Sequence, residues 1–403
     1  MKTIGEALAE TMSLATPLAA TRTLLSEARG RFLAERTDTS LDVPRFDASV
    51  VDGYAVRASE IKEGARLTVV GEARAGGEPP VLVREAAMRI FTGAPVPRGA
   101  DAVVMQEVVT REGDQAIFER RISAGAGIRR RASDLCVGET LLDAGAELDA
   151  GALGLLASQG HDHVVVHRVP SVSILTTGDE VFAAGATLSP GGLYDSNGPM
   201  LDALVSASGA RLGSRVHVRD DLDELTAALD RSLGSDVVIT VGGVSVGDHD
   251  LVHAALARLG VERRLWRVRM KPGKPLAVGT RGKSVVIGLP GNPVSAWVCF
   301  EVFVRPLLAR MLGDPRPYRR VIDVTLGASV RASPDRTELA RARIDEEGVA
   351  WPMATQGSSA LTSVTNVHAL LVLPERDEEI LAGERVQALL LSGPGAVRPP
   401  FVV

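Results

Sequence analysis

Residues 236–250 read DVVITVGGVSVGDHD and join an apolar run to a glycine-rich loop. The run from Asp236 to Val241 predicts a short buried strand, and a helical pattern begins at about Leu251. Backbone N–H groups beside glycine can approach an anion closely, and the amino end of the following helix adds a partial positive charge. The stretch therefore predicts a strand–loop–helix unit whose loop can bind an anion.

The loop itself follows none of the common phosphate-binding patterns. Its spacing is neither that of a Walker loop nor that of the dinucleotide-binding fingerprint, so a plain turn between strand and helix remains an alternative. Asp248 and Asp250 favour a binding site. Carboxylates beside a phosphate repel it unless a divalent cation such as Mg²⁺ lies between them, so we expect a metal here.

The same alternation of strand, loop and helix recurs on both sides of this loop. Short apolar runs at 171–176, 216–218 and 285–287 predict further strands, and amphipathic segments follow them. Repeated βα units imply a parallel, doubly wound sheet in an α/β domain. In such sheets ligands bind beyond the carboxyl ends of the strands.

Three more segments of this region carry residues suited to anions. Two of the five lysines of the chain, Lys271 and Lys274, lie in one proline-glycine turn, whereas 40 of the 45 basic residues are arginine. Lysine is a compact point charge suited to an oxyanion. The loop 288–295 is stiffened by prolines, and 176–180 reads TTGDE. Together these segments predict a phosphorylated ligand and a metal.

Composition and charge exclude several classes of protein. The 403 residues include 45 basic and 50 acidic side chains, and the net charge of −5 argues against binding to nucleic acid or an anionic membrane. With 45% apolar and 24% charged residues, the chain is predicted to fold. The chain has two distant cysteines, no signal-peptide core and no apolar run near the ~18 residues of a membrane helix. These features predict a soluble, cytoplasmic protein.

The remaining segments have different patterns. Apolar residues in 24–33 recur at helical spacing and predict a helix, and 150–160 predicts another. Residues 44–148 consist of short apolar runs separated by Gly and Pro, which indicates a β-rich unit. The tail from about 319 returns to short strand-like runs, so we expect a small all-β domain there.

Seven motifs, in order along nearly the whole chain, resemble one known family. They run from 41–56 (LDVPRFDASVVDGYAV) and 92–107 to the TGDE loop, Asp195-Ser196-Asn197, the GGVSVG loop, the KPGKP turn and LPGNP at 289–293. Together they resemble the molybdopterin molybdenumtransferase family, the bacterial MoeA proteins and the E domain of gephyrin. One such string can arise by chance, but seven in the same order identify the chain as a member of this family.

The resemblance implies an elongated, multidomain α/β homodimer whose subunit has four parts. A helical or extended arm is expected at 1–44 and 140–168, and a β-rich domain at 45–139. A doubly wound, MogA-like α/β domain that binds molybdopterin is expected at 169–316, and a C-terminal β-barrel-like domain at 317–403. The active site is expected between the α/β domain of one subunit and a β-rich domain of the other.

The resemblance also implies an activity and the residues that perform it. Members take adenylated molybdopterin and molybdate, hydrolyse the adenylate with Mg²⁺, and release AMP. The expected catalytic residues are Asp52, Thr92, Asp134, Glu180, Asp250, Lys271 and Lys274. The residues expected to bind cofactor or substrate are Gly242, Gly243, Ser245, Gly247, Pro275, Pro290, Asn292, Pro293, Ser295, Arg341 and Ser358. The expected ligands of the metal are Glu180, Asp220, Asp248 and Asp250.

Within this set, the resemblance divides the residues between two ligands and two subunits. Lys271, Lys274 and Ser295 are expected to hold molybdate, with Arg341 and Ser358 reaching in from the tail. Two point charges on a rigid turn suit a dianion, which has no need of the planar geometry of arginine. The residues expected from the neighbouring subunit are Asp52, Thr92 and Asp134.

Departures from the family pattern leave a second class of function open. Residues 127–129 read GIR where the family usually has NIR, and Val50-Val51 replaces Ala-Met before Asp52. These changes affect the half of the site expected from the partner, whereas the α/β half is intact. We favour the enzyme. The alternative is a catalytically reduced, gephyrin-like scaffold that docks a protein at its dimer interface. A pterin adenylyltransferase shares the sheet, but the β domains and the lysine turn count against it.

Overall fold

The computed structural model describes residues 1–243, 251–393, 395 and 398–401, which form two compact units. The smaller unit comprises Arg36–Asp143 and Gly151–His161, and the larger one comprises the other segments. No helix among these described residues is long and apolar enough to cross a bilayer. The α-helices of the described residues are α1 (Ile4–Ser13), α2 (Ala150–Ser158), α3 (Asn197–Ala207), α4 (Leu222–Ser232), α5 (Leu251–Arg258), α6 (Pro293–Cys299) and α7 (Arg305–Met311). The division into four parts stays a prediction.

The larger unit contains a six-stranded, mostly parallel sheet. The strands are β1 (Ser171–Thr177), β2 (Arg211–Val218), β3 (Val237–Val241), β4 (Glu262–Trp266), β5 (Ala277–Arg281) and β6 (Ser284–Leu289). In space they follow the order β2-β1-β3-β6-β5-β4. The first four are parallel to one another, and β5 is antiparallel to both of its neighbours. The predicted α/β sheet is confirmed, with an antiparallel edge added to it.

Helices cover both faces of this sheet. On one face Ile174 of β1 belongs to the same core as Leu201 of α3. On the opposite face Leu175 of β1 packs with Leu225 and Leu229 of α4. Because successive side chains of a strand point to opposite faces, a strand covered on both faces needs apolar residues throughout. This explains the continuous apolar runs by which the sequence predicts these strands.

The order of the strands places a crevice at one edge of the sheet. The chain leaves β1 through α3 to β2 on one side, and returns through α4 to β3 on the other side of β1. Connections that depart in opposite directions leave a gap at the carboxyl ends of β1 and β3. A ligand site is therefore expected between these two ends.

The tail forms a closed barrel of five strands. The strands are β7 (Val321–Leu326), β8 (Thr337–Ile344), β9 (Val349–Pro352), β10 (Ala369–Leu373) and β11 (Arg385–Leu390). They pair in the circular order β8-β9-β7-β11-β10-β8, so no strand of the circle is left as an edge. A short strand, Met270–Lys271, adds to β8 in parallel. The predicted β-barrel-like C-terminal domain is thus confirmed.

The helix predicted at 24–33 is wrong. Ala20–Leu24 is a strand that pairs antiparallel with His163–His167, and only Leu25–Glu27 forms a short 3₁₀ turn. Pairing with a distant strand outweighs the local helical spacing, because tertiary partners override weak propensities. The helix of this region is α1 instead, and its capping box between Thr3 and Glu6 was a local signal for it.

The smaller unit is rich in β-structure, as predicted. Its main sheet buries Phe118, Ile90 and Val56. Ala48–Ser49 pairs with Ile128–Arg129 beside this sheet. The strands of the main sheet are Gly53–Val56, Ala65–Ala73, Ala86–Ile90, Ala102–Met105, Val109–Glu112 and Gln115–Phe118.

Asp236, just before β3, anchors the start of the α/β sheet. It pairs with Arg168 at 2.7 Å and accepts hydrogen bonds of 2.8 Å from the backbone N–H and the hydroxyl of Ser171. Burial raises the pKa of this carboxyl, but the hydrogen bonds from Arg168 and Ser171 outweigh burial and lower the pKa from 3.8 to about 2. The charged form therefore stabilises the folded state.

We expect Asp236→Asn to cost about 1–2 kcal/mol of unfolding free energy at neutral pH, after allowance for solvent screening. Because the folded pKa is depressed, this stability is present above pH 4 and is lost as pH falls through about 2. Urea unfolding of the wild type and of Asp236→Asn between pH 7 and pH 3 measures the difference between their free energies of unfolding. It should narrow toward the acid end, and a constant difference would show that the charge of Asp236 is not the cause.

Candidate active site

A cavity of about 710 Å³ lies at the carboxyl ends of β1 and β3, where the strand order reverses. Its walls are the end of β1, the start of the loop after β3 and the loop after β6. Cavities of this size hold small-molecule ligands and cofactors. The predicted site residues that line it are Glu180, Gly242, Gly243, Pro275, Pro290, Asn292 and Pro293.

Two threonines at the end of β1 orient acidic side chains. The Thr177 hydroxyl donates to Asp220 Oδ1 at 2.6 Å. The Thr176 hydroxyl donates to Asp195 Oδ2 at 3.2 Å, and His217 Nδ1 lies 3.1 Å from the same hydroxyl. Both threonines and Asp195 line the cavity. The strand end therefore presents carboxylates in defined orientations.

The loop after β3 requires glycine where it leaves the strand. Gly242 has a φ of +90°, and a Cβ at this position would lie 3.2 Å from the methyl carbon and the carbonyl oxygen of Thr177. A side chain would thus be strained and would push the loop away from β1. Gly243 also has a positive φ, of +61°. The predicted residues of this loop that lie outside the described residues are Ser245, Gly247, Asp248 and Asp250.

The lysine turn lies next to the cavity through Pro275. Lys271 Nζ is 3.1 Å from Glu338 Oε2 of β8. Lys274 is exposed, and within the described part of the chain no ion pair includes it. Gly273, between them, has a φ of +107° and packs against Cys299. Among the described residues the two lysines therefore differ, because Lys271 is held by a carboxylate and Lys274 is in no ion pair there.

Side chains from two directions hold the loop after β6. Asn197 of α3 donates from Nδ2 to the carbonyl of Gly291 at 2.7 Å. From the barrel side, Ser358 accepts at its hydroxyl from Asn292 Nδ2 and at its carbonyl from the Val294 N–H, both at 3.1 Å. The loop is therefore ordered before any ligand binds, which lowers the entropic cost of binding.

Arg341 is fully buried on β8 and holds the segment that carries Ser358. Its guanidinium donates to the carbonyls of Thr355 at 3.3 Å and Gly357 at 3.2 Å, and to the Ser363 hydroxyl at 3.1 Å. Burial lowers the pKa of Arg341 to about 10. Arg341 is not among the residues that line the cavity, so its direct contact with molybdate stays a prediction.

Ser295 lies in the first turn of α6 and is only 4% exposed. It follows the loop held by Asn197 and Ser358, so its position is set by the same contacts. Its role at the anion also stays a prediction.

The predicted metal ligands are only partly described. Glu180 lines the cavity, and Asp220 is oriented by Thr177. In the ranges that the structure describes, no three His, Cys, Asp or Glu side chains gather as a metal site. Asp248 and Asp250 are not among those residues. The oxygen donors of Glu180 and Asp220 are nevertheless of the kind that Mg²⁺ prefers.

In the smaller unit, two of the three predicted residues come together. Asp52 Oδ1 accepts hydrogen bonds from the backbone N–H of Thr92 at 2.8 Å and from its hydroxyl at 2.9 Å. These two bonds lower the pKa of Asp52. Asp134 pairs instead with Arg129, at 3.2 Å. The structure thus presents Asp52 as an ionised, oriented carboxylate.

Several residues of the site escaped the sequence analysis. Glu338 lies in TELARARI, the sequence of β8, and an acidic residue within such a strand is a usable signal. The sequence shows Asn197 only as part of a family motif, and not as a contact to another loop. Thr177 and Gln356 have no distinguishing local pattern in the sequence. Gln356 forms hydrogen bonds with the backbone of Arg341.

Comparison with known proteins gives consistent matches over the chain. Residues 2–160 match the model of the MoeA N-terminal region (domain I and II), residues 173–310 that of the probable molybdopterin binding domain, and residues 323–391 that of the MoeA C-terminal region (domain IV). These matches include the α/β sheet, the barrel and the smaller unit.

Curated and solved proteins extend these matches. The chain is 35% identical to molybdopterin molybdenumtransferase 2 of Mycobacterium tuberculosis over 378 residues, which cover 90% of this chain and 93% of that protein. It is 34% identical to the molybdopterin molybdenumtransferase of Bacillus subtilis, over 91% of this chain and 89% of that one. A crystal structure of a molybdopterin biosynthesis MoeA protein from Pyrococcus horikoshii aligns with a TM-score of 0.85 and 31% identity, over 97% of this chain and 99% of that one.

Proposed function

Because the chain belongs to the molybdopterin molybdenumtransferase family of molybdenum cofactor biosynthesis, we propose that it inserts molybdate into adenylated molybdopterin, with hydrolysis of the adenylate and release of AMP. The observation that carries this proposal is the cavity where β1 and β3 diverge, with the lysine turn and a preordered loop beside it. This arrangement suits a phosphorylated pterin together with a small oxyanion.

Each part of the proposed site has a separate task. Lys271 and Lys274 supply positive charge for the molybdate dianion, and Ser295 and Ser358 supply hydroxyls. Arg341 supports them through the segment that carries Ser358. The glycine-rich loop after β3 offers backbone N–H groups to the phosphates. Cleavage of the phosphate anhydride by water then depends mainly on positioning and on neutralising charge.

We propose Mg²⁺ as the metal of this site. When bound, it neutralises the phosphate oxygens, and Glu180, Asp220, Asp248 and Asp250 are the residues that would hold it. The orientation of Asp220 by Thr177 supports its part in this set. The cytoplasm remains the proposed location.

The test is AMP release by the purified protein with adenylated molybdopterin, Mg²⁺ and either molybdate or no oxyanion. Molybdate-dependent and Mg²⁺-dependent release supports the proposal. Pterin binding without turnover contradicts it and favours the alternative, a catalytically reduced scaffold that docks a protein partner. Release of AMP that ignores molybdate contradicts the proposed coupling of the two steps.

We also propose that the enzyme is a homodimer in which Asp52, Thr92 and Asp134 serve the site of the partner subunit. The hydrogen bonds from Thr92 keep Asp52 ionised and oriented, which supports a role at a site. Asp52→Asn and Lys274→Ala should each be inactive alone. When the two variants are coexpressed in equal amounts, half of the dimers should be mixed, and each mixed dimer holds one site without either change. The whole mixture should therefore recover about a quarter of the wild-type activity.

The same mixture separates the two possible origins of Asp52. If Asp52 acted within its own subunit, every site of a mixed dimer would carry one change and no activity would return. A monomeric protein by light scattering would also contradict the proposal.

A further inference from the structure

We propose that Glu338 is a positioning residue, which holds Lys271 between turnovers and competes with the incoming oxyanion for the ammonium group of Lys271. This inference rests on the proposed function, in which Lys271 binds molybdate. Glu338 thereby weakens oxyanion binding in the ground state and returns Lys271 to one fixed position after the oxyanion has left.

The first support is the burial of Glu338. Its side chain is 4% exposed, on a strand of the closed barrel, and Lys271 Nζ is 3.1 Å from its Oε2. An ionised carboxylate in such a place is costly unless a cation compensates it. Lys271 is 46% exposed, so its ammonium lies where the buried carboxylate meets solvent. Lys271 can therefore be reached by a ligand while Glu338 cannot.

The second support is the backbone between the two residues. Met270–Lys271 pairs in parallel with Thr337 and Glu338 of β8, and Lys271 is the register partner of Glu338. Strand pairing thus brings together two residues that are 67 positions apart in sequence. The contact is a consequence of the sheet and does not depend on the chance position of a long side chain.

The third support is the difference between the two lysines. Among the residues that the structure describes, Lys274 forms no ion pair, whereas Lys271 has one. A turn built only to attract anions has no need of a buried carboxylate beside one of its two cations. Its presence reduces the positive charge that the turn offers, so it must reduce the affinity for any oxyanion that binds Lys271.

Glu338→Gln tests this competition because glutamine keeps the shape of the side chain and an oxygen acceptor for Lys271, but not the charge. Binding of molybdate and of tungstate is measured by calorimetry at constant ionic strength. The dissociation constant should fall about fivefold, the effect expected of a partly exposed ion pair. If Glu338 has only a structural role, the dissociation constant should be unchanged or higher in the variant, and that result would overturn the inference.

Two further variants complete the test. Glu301→Gln is the matched control, since Glu301 is 6% exposed and pairs with Arg319 at 2.9 Å instead of with the turn. It should lower thermal stability without tightening oxyanion binding. In a Lys271→Ala background, Glu338→Gln should lose its effect, and continued tightening there would contradict competition for Lys271.

If Glu338→Gln does not fold, Glu338→Asp takes its place. The shorter side chain keeps the charge but withdraws it from Lys271, so oxyanion binding should again tighten, and unchanged or weaker binding would overturn the inference. Failure of the wild-type protein to bind either oxyanion would overturn the proposed function and this inference together. Binding by the wild type with no change in the variants would overturn this inference alone.

Discussion

Replacing Lys274 by alanine should reduce molybdate-dependent AMP release by at least about 100-fold. Lys274 precedes Pro275, which lines the cavity. Lys271 shares its charge with Glu338, whereas no ion pair to Lys274 occurs in the described ranges. Lys274 should therefore contribute most of the attraction of the turn for a dianion. AMP release by the purified variant, at saturating pterin substrate, measures the loss.

The control for this prediction is Lys283→Ala. Lys283 is also exposed, but it lies in the turn before β6, at the opposite edge of the sheet from the cavity. The Lys283→Ala substitution removes the same charge from the same unit and should leave AMP release unchanged. Both variants should unfold within a few degrees of the wild type, because exposed lysines contribute little to stability. More than a tenth of the wild-type activity in Lys274→Ala would disprove its assigned role.

Gly273→Ala should cost about 3 kcal/mol of unfolding free energy and abolish oxyanion binding. The φ of Gly273 is +107°, a conformation that residues with a Cβ rarely adopt. The added Cβ would also lie 2.6 Å from Cys299 Sγ and 3.0 Å from the terminal methyl of Met270. The turn must move to relieve this overlap, and its two lysines move with it. Urea unfolding and calorimetric titration with molybdate measure the two effects.

Gly282→Ala separates strain of the backbone from overlap. Gly282 has a φ of +58°, and a Cβ there would meet no atom within 4 Å. Gly282→Ala should lower the free energy of unfolding by only about 1 kcal/mol and leave oxyanion binding unchanged. Equal effects of the two substitutions would mean that the packing of Gly273 against Cys299 is unimportant for the turn.

Most of the α/β fold could be predicted because its signals are local. Each strand is covered on both faces, so it appears as a short apolar run, and each loop is marked by glycine or proline. The antiparallel edge formed by β4 and β5 was not predicted, because the direction of a strand depends on its connection and not on its composition.

The candidate site also has one part that local sequence signals predicted and another part that they did not. Gly242, the lysine turn and the loop at 290–293 carry their signals in a few adjacent residues, and the structure places Gly242, Pro275, Pro290, Asn292 and Pro293 around one cavity. Local signals could not show that the guanidinium of Arg341 is enclosed by Thr355, Gly357 and Ser363. Its partners lie 14 to 22 positions away, in a segment without regular spacing.

The sequence by itself determined the βα repeats, the glycine- and proline-rich loops between them and the family, because these depend on short motifs and on their order along the chain. Only the tertiary structure decided that Ala20–Leu24 is a strand, since its partner His163–His167 is far away in sequence. Tertiary structure also decided that Lys271 and Lys274 differ. The carboxylate that distinguishes them comes from Glu338, which is buried in the barrel and reaches Lys271 through a strand pairing between residues 67 positions apart, a separation that no local pattern can show.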